Sequence, residues 1–432
     1  MINADNIWIS PVTGYIKVKY MCDNTFSGGT PSTNDYRCYE NGNIPWIASG
    51  KCQDCEIYTE TAFITKFGLL NSSTRMIKPN TTLIAMTGAT CGNVGLLKIQ
   101  ACANQSIFAY EINSKNDSKF LFYALIAGRE SILLNQLGGA QAGINGLVCK
   151  NIFVPKLAIN EQIIISNYLD KKVSAIDDFI KKEEKAISEL KEYRQSIITK
   201  IVLNGLNNKN FKETNIKWMP SIPKHWSFTK VGANCYLKGR IGWQGLTTDE
   251  YKDTGPYLIT GTDFNNGKIN WNTCVHITER RYNEASHIRV KIGDVLITKD
   301  GTVGKVAIID NLPDKTSLNS GVMLMRNIKN KYLNKYLYYV LLSNVFWDWF
   351  YRDKKENSTI IHLYQEQFEK FSFPIPPKDE QQQIVDYLDK KCDVIDSLIK
   401  LKEQKIEKLK EYKKSLIYEC VTGRREITCQ MN

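Results

Sequence analysis

Histidine is scarce in this chain: His225, His276, His287 and His362 are the only four in 432 residues, too scattered to suggest a site. Each is better read as a surface or capping residue. There is no Gly-x-x-x-x-Gly-Lys-Ser/Thr loop for nucleotide phosphates and no His-Glu-x-x-His pair for zinc. The Gly-x-Ser-x-Gly nucleophile turn is missing too, as is the Asn/Asp-Pro-Pro-aromatic tetrapeptide of amino-group DNA methyltransferases. Gly88-x-x-x-Gly92-x-x-Gly95 lacks cofactor-loop spacing and reads as a turn. Catalysis, if any, is left to a partner. No apolar run reaches the roughly 18 residues a membrane span needs, and the first six residues hold no basic stretch followed by an apolar run. A cytoplasmic chain with no membrane partner is therefore expected. Its twelve cysteines should be thiols. Only Cys52 and Cys55 form a Cys-x-x-Cys pair, with Cys22 and Cys38 upstream; zinc ribbons want two close pairs, so no metal is expected.

What is present in excess is positive charge. Against 45 Asp and Glu stand 57 Lys and Arg, a net +12, which favours a polyanion or an acidic surface as partner and also serves solubility. With 43% hydrophobic and 24% charged residues the chain can build large cores. Its length suits two domains of about 150 to 200 residues each.

An internal repeat fixes the layout. Residues 160 to 202 align without a gap on residues 379 to 421, with 21 of 43 positions identical. The spacing predicts a globular domain over 1–157, a central long helix over 158–207, a second globular domain over 208–376, a distal long helix over 377–424 and a tail over 425–432. Asn160 and Asp379 are placed to cap the helices, and Gly205 and Gly423 to stop them. The globular halves echo each other more loosely. Ile44-Pro45-Trp46-Ile47-Ala48-Ser49-Gly50 matches Gly255-Pro256-Tyr257-Leu258-Ile259-Thr260-Gly261, and Lys78 to Ala85 matches Lys291 to Thr298. Each half also predicts one further helix, over 119–136 and over 334–351.

Heptads run through both long segments. Ile176, Ile180, Glu183, Ile187 and Leu190 lie on the seam of the first, and Ile395, Ile399, Lys402, Ile406 and Leu409 on that of the second. A helix of about 45 residues is about 68 Å long, and such a seam asks for a partner helix. Two equivalent helices can meet antiparallel under a pseudo-two-fold axis, with Glu183 and Lys402 expected to pair near the dyad. The fold class is thus α+β: two mixed α/β domains joined by two long helices packed as an antiparallel coiled coil.

The loops carry hydroxyl, amide and basic side chains beside aromatics, the chemistry of base-edge and phosphate contacts. Thr30, Ser49, Thr87, Asn104 and Gln105 are the candidates in the first half, and Lys238, Arg240, Trp243, Gln244, Lys299 and Asn319 in the second, with Asn104 and Asn319 at corresponding places. Such residues are also ordinary turn chemistry. Their recurrence at matched places favours recognition.

The chain resembles the specificity subunit of type I restriction-modification systems over nearly its whole length. The carriers are the Glu-Gln helix openings after Pro155 and Pro374, the Tyr-Leu-Asp-Lys-Lys runs at 168–172 and 387–391, and Leu-Lys-Glu-Tyr at 190–193 and 409–412. Gly28-Gly29-Thr30-Pro31-Ser32 and the Lys238 to Gly245 loop are similar to that family's target-recognition domains. The resemblance implies a non-catalytic subunit that reads a bipartite double-stranded DNA site, one part per globular domain, with the helices as a ruler. It implies as partners two modification (methyltransferase) subunits, which bind S-adenosylmethionine while this chain binds no cofactor, and restriction (nuclease/translocase) subunits as optional further ones. Tyr168, Leu169, Tyr193, Tyr387, Leu388 and Tyr412 are then the expected docking and spacer positions. A coiled-coil scaffold that binds no DNA is the alternative from another class; an enzyme would need a metal on the N-terminal cysteines.

Overall fold

The computed structural model describes residues 6–7, 14–136, 143–240, 246–352, 362–425 and 427–428. The chain divides into two compact units, Met1–Glu184 with Gln404–Asn432, and Lys185–Glu403. Each holds one globular domain, the first part of one long helix and the last part of the other.

In unit 1 the central sheet has the strand order Cys22–Ser27, Ile107–Ile112, Thr81–Ala85, Val94–Leu97, Cys55–Ile57, antiparallel except for its last pair. Unit 2 repeats the first four as Cys235–Gly239, Val322–Asn327, Val295–Thr298, Val306–Ile308, all antiparallel. Thr81 to Ala85 are buried at all five positions, so both faces of the strand are covered and burial does not alternate along it. A smaller sheet accompanies each. Ile44–Ile47 pairs antiparallel with Ala62–Ile64 and parallel with Cys102–Ala103; Lys252–Ile259 does the same with Val275–His276 and Thr316–Leu318.

That sheet corrects one register. Ile47 lies beside Ala103 and Ile259 beside Leu318, so the counterpart of Ile47 is Ile259, one residue on from the match drawn through the two prolines. A slip of one exchanges the faces of a strand, so geometry decides where sequence similarity did not. The other echo keeps its register, with Ala85 opposite Ile107 and Thr298 opposite Val322.

The helices expected over 119–136 and 334–351 are each two. Ser118–Ala127 breaks at Gly128 before Arg129–Leu133, and Asn334–Leu342 breaks at Ser343, extended with ψ 163°, before Asn344–Tyr351.

The long helices run Ile159–Asn204 and Lys378–Val421, starting just ahead of the expected caps. Glu161 accepts the Ala158 N–H at 2.9 Å and satisfies one free donor of the first turn. Both end on left-handed glycines, Gly205 at φ 68° and Gly423 at φ 67°, a backbone that suits a residue without Cβ. The seam is buried at Ile176, Ile180, Glu183, Ile187, Ile395, Ile399 and Ile406, and half-buried at Leu190, Lys402 and Leu409. In unit 1 Asp177 meets Lys413 at 2.7 Å and Glu183 meets Lys405 at 2.7 Å, numbers rising on one helix as they fall on the other: the segments are antiparallel. In unit 2 Arg194 meets Asp396 at 3.0 Å. This is the Asp177–Lys413 pair with the helices exchanged, each residue 219 from its counterpart. Within unit 1 Glu183 also meets Lys405, a lysine the sequence reading did not name. Lys405 is half exposed and passes over the Phe179 ring at 4.7 Å, so a long flanking stem reaches the carboxylate while its head stays wet.

Candidate nucleic-acid interface

The smaller sheets end in loops held by the same backbone bonds in both units. The N–H of Asn104 donates to Ile47 O and that of Asn319 to Ile259 O, both at 2.9 Å; Ile107 and Val322 donate back to Asn104 O and Asn319 O, both at 3.1 Å. Met86 donates to Ser106 O and Lys299 to Gly321 O, both at 2.8 Å, while Ile144 and Leu363 close onto Met86 O and Lys299 O. This skeleton makes counterparts of Asn104 and Asn319, of Gln105 and Ser320, and of Thr87 and Asp300. It is built twice from main chain, and the side chains it carries differ.

In unit 1 it gathers Thr30, Thr87, Asn104 and Gln105, with Ser49 opening the turn that follows Ile47. The Thr30 hydroxyl donates to Gln105 Oε1, which orients the exposed amide. Thr87 Oγ1 donates to Ser106 Oγ at 2.8 Å. The loop holding Thr30 is pinned by the Trp46 indole N–H on Gly29 O at 3.1 Å and by Gly28 N–H on Ile107 O at 2.9 Å. A Cβ on Gly28 would stand 2.2 Å from Asn104 O, so only glycine lets the strands approach this closely. Asn104 Oδ1 is buried without a hydrogen-bond partner among the described residues.

Unit 2 brings Lys238, Lys299 and Asn319 to the matched edge, all half-buried. The Asn319 amide donates to Tyr251 Oη at 3.2 Å and its Oδ1 accepts from Ser320 N–H at 2.7 Å. Trp243 and Gln244 lie outside the described residues. Arg240 departs from the expectation of a side chain offered to a base edge. It is 3% exposed, with Nε donating to Leu318 O at 2.7 Å and Nη2 to Ser317 Oγ at 2.9 Å. Burial, then the charge of Arg281, lowers its pKa to about 10, which still leaves a cation at neutral pH. It stands where unit 1 has Gly28 and braces the strand that Gly28 lets close. Two residues that sequence reasoning passed over complete this edge: His362 Nδ1 sits 2.5 Å from Asp300 Oδ1. The signal for them is the register itself, which makes Asp300 the counterpart of Thr87.

The two edges thus differ in charge. Unit 1 offers neutral hydroxyls and amides; unit 2 adds two lysines and the His362–Asp300 contact. Oriented hydroxyls, amides and cations are donors and acceptors for base edges and phosphates.

The expected docking positions separate by burial. Leu169 and Leu388 are 0% exposed and pack inside their units, so they are corrected from docking to core. Tyr193 and Tyr412 are 54% and 45% exposed, and Tyr168 and Tyr387 half-buried under Lys172 and Lys391. The Glu-Gln openings also carry more than a helix start. Gln162 and Gln381 are buried, and each accepts the N–H at the start of its domain's helix, Asp117 and Leu333, at 2.8 Å. The sequence signal was the Glu-Gln pair, identical in both copies where the next two positions differ.

Among the described residues no group of three or more His, Cys, Asp or Glu could hold a metal, and no helix is long and apolar enough to cross a membrane.

The family model described as type I restriction modification DNA specificity domain matches residues 15–192 and 242–411. The MjaVIII type I restriction enzyme specificity subunit of Methanocaldococcus jannaschii is 23% identical over 382 residues, 85% of this chain and 84% of that relative. The EcoR124I/EcoR124II specificity subunit of Escherichia coli is 32% identical over 152 residues, 34% of this chain and 37% of that relative. A chain from a structure on complex assembly and conformational transition of the type I R-M system superposes with a TM-score of 0.72 at 14% identity, over 96% of this chain and 99% of that one.

Proposed function

The chain belongs to the type I restriction-modification DNA specificity family, and from that premise we propose how its parts serve as a specificity subunit. Each unit reads one part of a bipartite double-stranded site with the edge at the end of its smaller sheet. The observation that carries this reading is the skeleton built twice around Asn104 and Asn319 with different side chains on it: one fold held constant, two vocabularies. Thr30, Ser49, Thr87, Asn104 and Gln105 serve the first part; Lys238, Lys299 and Asn319, with Asp300 and His362, serve the second. Arg240 supports that edge from below.

The chain itself catalyses nothing. Methyltransferase subunits dock along the long helices, where Tyr193 and Tyr412 stay exposed, and bring S-adenosylmethionine with them; restriction subunits join that assembly. Its place is the cytoplasm, with the DNA. Lys and Arg contacts to phosphate make binding weaken as salt rises, through counterion release. The test is methylation mapping of DNA exposed to the reconstituted complex. Two short specified segments separated by a fixed unspecified spacer are expected. No binding to any DNA, alone or with methyltransferase subunits, would return the chain to the scaffold reading.

A further inference from the structure

Each globular domain is fastened to its own long helix by the same side chains. In unit 1 Asp170 accepts from the Tyr123 hydroxyl at 2.8 Å and from the Lys119 ammonium. In unit 2 Asp389 accepts from the Tyr339 hydroxyl and lies 3.3 Å from Lys335 Nζ. Two turns earlier stand the buried amides. Gln162 holds Asp117 N–H, Leu157 O at 2.9 Å and Asn116 Oδ1 at 3.0 Å; Gln381 holds Leu333 N–H, Pro376 O at 2.9 Å and Lys331 O at 3.3 Å. Unit 1 has a third point between them, Ser166 Oγ donating to Asp117 Oδ2 at 2.6 Å; unit 2 has the buried apolar Val385 there.

Residues 162, 166 and 170 recur every four positions, so they line one helix face over about 12 Å. A domain held along one face at two or three points can neither roll about the helix nor slide along it. The groups are also tuned to stay in place. Burial tends to lower the Lys119 pKa, but the hydrogen bond and charge of Asp170, with Glu56, leave it raised. Burial and the Asp389 hydrogen bond raise that of Tyr339, keeping the donor proton on its oxygen.

We propose that this clamp is a positioning site that sets the rotational phase of each recognition domain on its helix, and with it how many base pairs are tolerated between the two half-sites. The inference rests on the two-part reading above. One added base pair turns a half-site by about 34° and moves it about 3.4 Å along the duplex, a displacement a clamped domain cannot follow and a loosened one can. Helix length then sets the mean spacer, and the clamp sets how sharply that spacer is enforced.

The test uses full-length chains carrying Asp389→Asn or Tyr339→Phe, each assembled with its methyltransferase subunits and scored by methylation mapping. With either variant, methylation at sites whose spacer is one base pair longer or shorter should rise about tenfold, the scale of one lost hydrogen bond to a charged group, while the specified bases stay the same. Asp170→Asn should broaden the spacer less, because Gln162 and Ser166 remain. An unchanged spacer distribution overturns the proposal, and so does altered base identity. Tyr339→Phe removes one oxygen and keeps the ring; if it abolishes methylation, the clamp serves folding and the proposal falls. Wild-type DNA methylated without two segments would instead refute the two-part reading itself.

Discussion

Replacing Glu183 by leucine and Lys405 by alanine breaks one ion pair from its two ends, and the two changes should carry opposite signs. The Glu183 side chain is 10% exposed and that of Lys405 50%, so most of the desolvation falls on the acid. Glu183→Leu removes a charge from an apolar seam and fills the position with a side chain suited to it. Replacing a buried charge by apolar volume is neutral to about 4 kcal/mol stabilising. The abandoned Lys405, already half in water, turns outward at a cost of about 0–1 kcal/mol. Lys405→Ala instead leaves the buried carboxylate with one partner fewer. A fully buried pair broken this way costs about 3–5 kcal/mol, and the half-wet lysine reduces that to about 1–3 kcal/mol, including the stem lost from the Phe179 ring. Urea titration of the three chains measures both, as midpoint shifts at constant slope. Glu183→Leu destabilising by more than about 1 kcal/mol, or Lys405→Ala proving neutral, would refute the assignment of the desolvation penalty to the acid.

Other perturbations separate reading from bracing. Gln105→Ala should change the bases accepted in one half-site, seen by methylation mapping, with little shift in melting; a change in the other half-site would contradict the division of labour. Arg240→Ala should destabilise unit 2 by about 2–4 kcal/mol, since it removes charge-assisted bonds to Leu318 O and Ser317 Oγ and leaves a buried carbonyl without them. Denaturation showing no loss would return Arg240 to the surface. Burial raises the Tyr123 and Tyr339 pKa values; the unfolded phenols ionise near pH 10, so their share of stability is whole below pH 10 and lost above it. Double Phe replacement should flatten the alkaline fall in melting temperature. Burial also pushes Cys52 up to about 12 while Cys55 stays exposed; alkylation at pH 8, followed by mass spectrometry, should mark Cys55 well before Cys52.

Much of the layout was legible because the long helices align without a gap and heptads speak through periodicity alone. Their stop glycines were readable for the same reason: a backbone with positive φ favours a residue without Cβ. The recognition edges were half legible. Asn104 and Asn319 stood out as matched, yet the strands that aim them slip by one against the obvious alignment, because pairing is set by the sheet and not by similar letters. Arg240 looked like a reader since a basic residue in a glycine-rich loop normally faces water; only the gap that Gly28 closes in the other unit explains why it points inward. Leu169 and Leu388 misled in the same way, their identity marking a core position that recurs in each unit. Gln162 and Gln381 were visible as letters but not as joints, because a buried amide has no sequence period of its own.

The division of the chain has a consequence for how the molecule comes into being. Unit 2 is continuous from 185 to 403, whereas unit 1 needs residues 404 onward, including Ile406 of its seam, the buried Leu416 and the Ile427–Thr428 strand that pairs with Asn6–Ile7. During synthesis the domain translated first is therefore completed last. Until the final helix emerges, Ile176 and Ile180 wait uncovered, and the ladder between residues 7 and 427 closes one of the longest loops the chain can form, with the entropy that entails. A released chain ending at residue 403 should hold a finished second unit and an unfinished first one, the reverse of the order in which the ribosome delivers them.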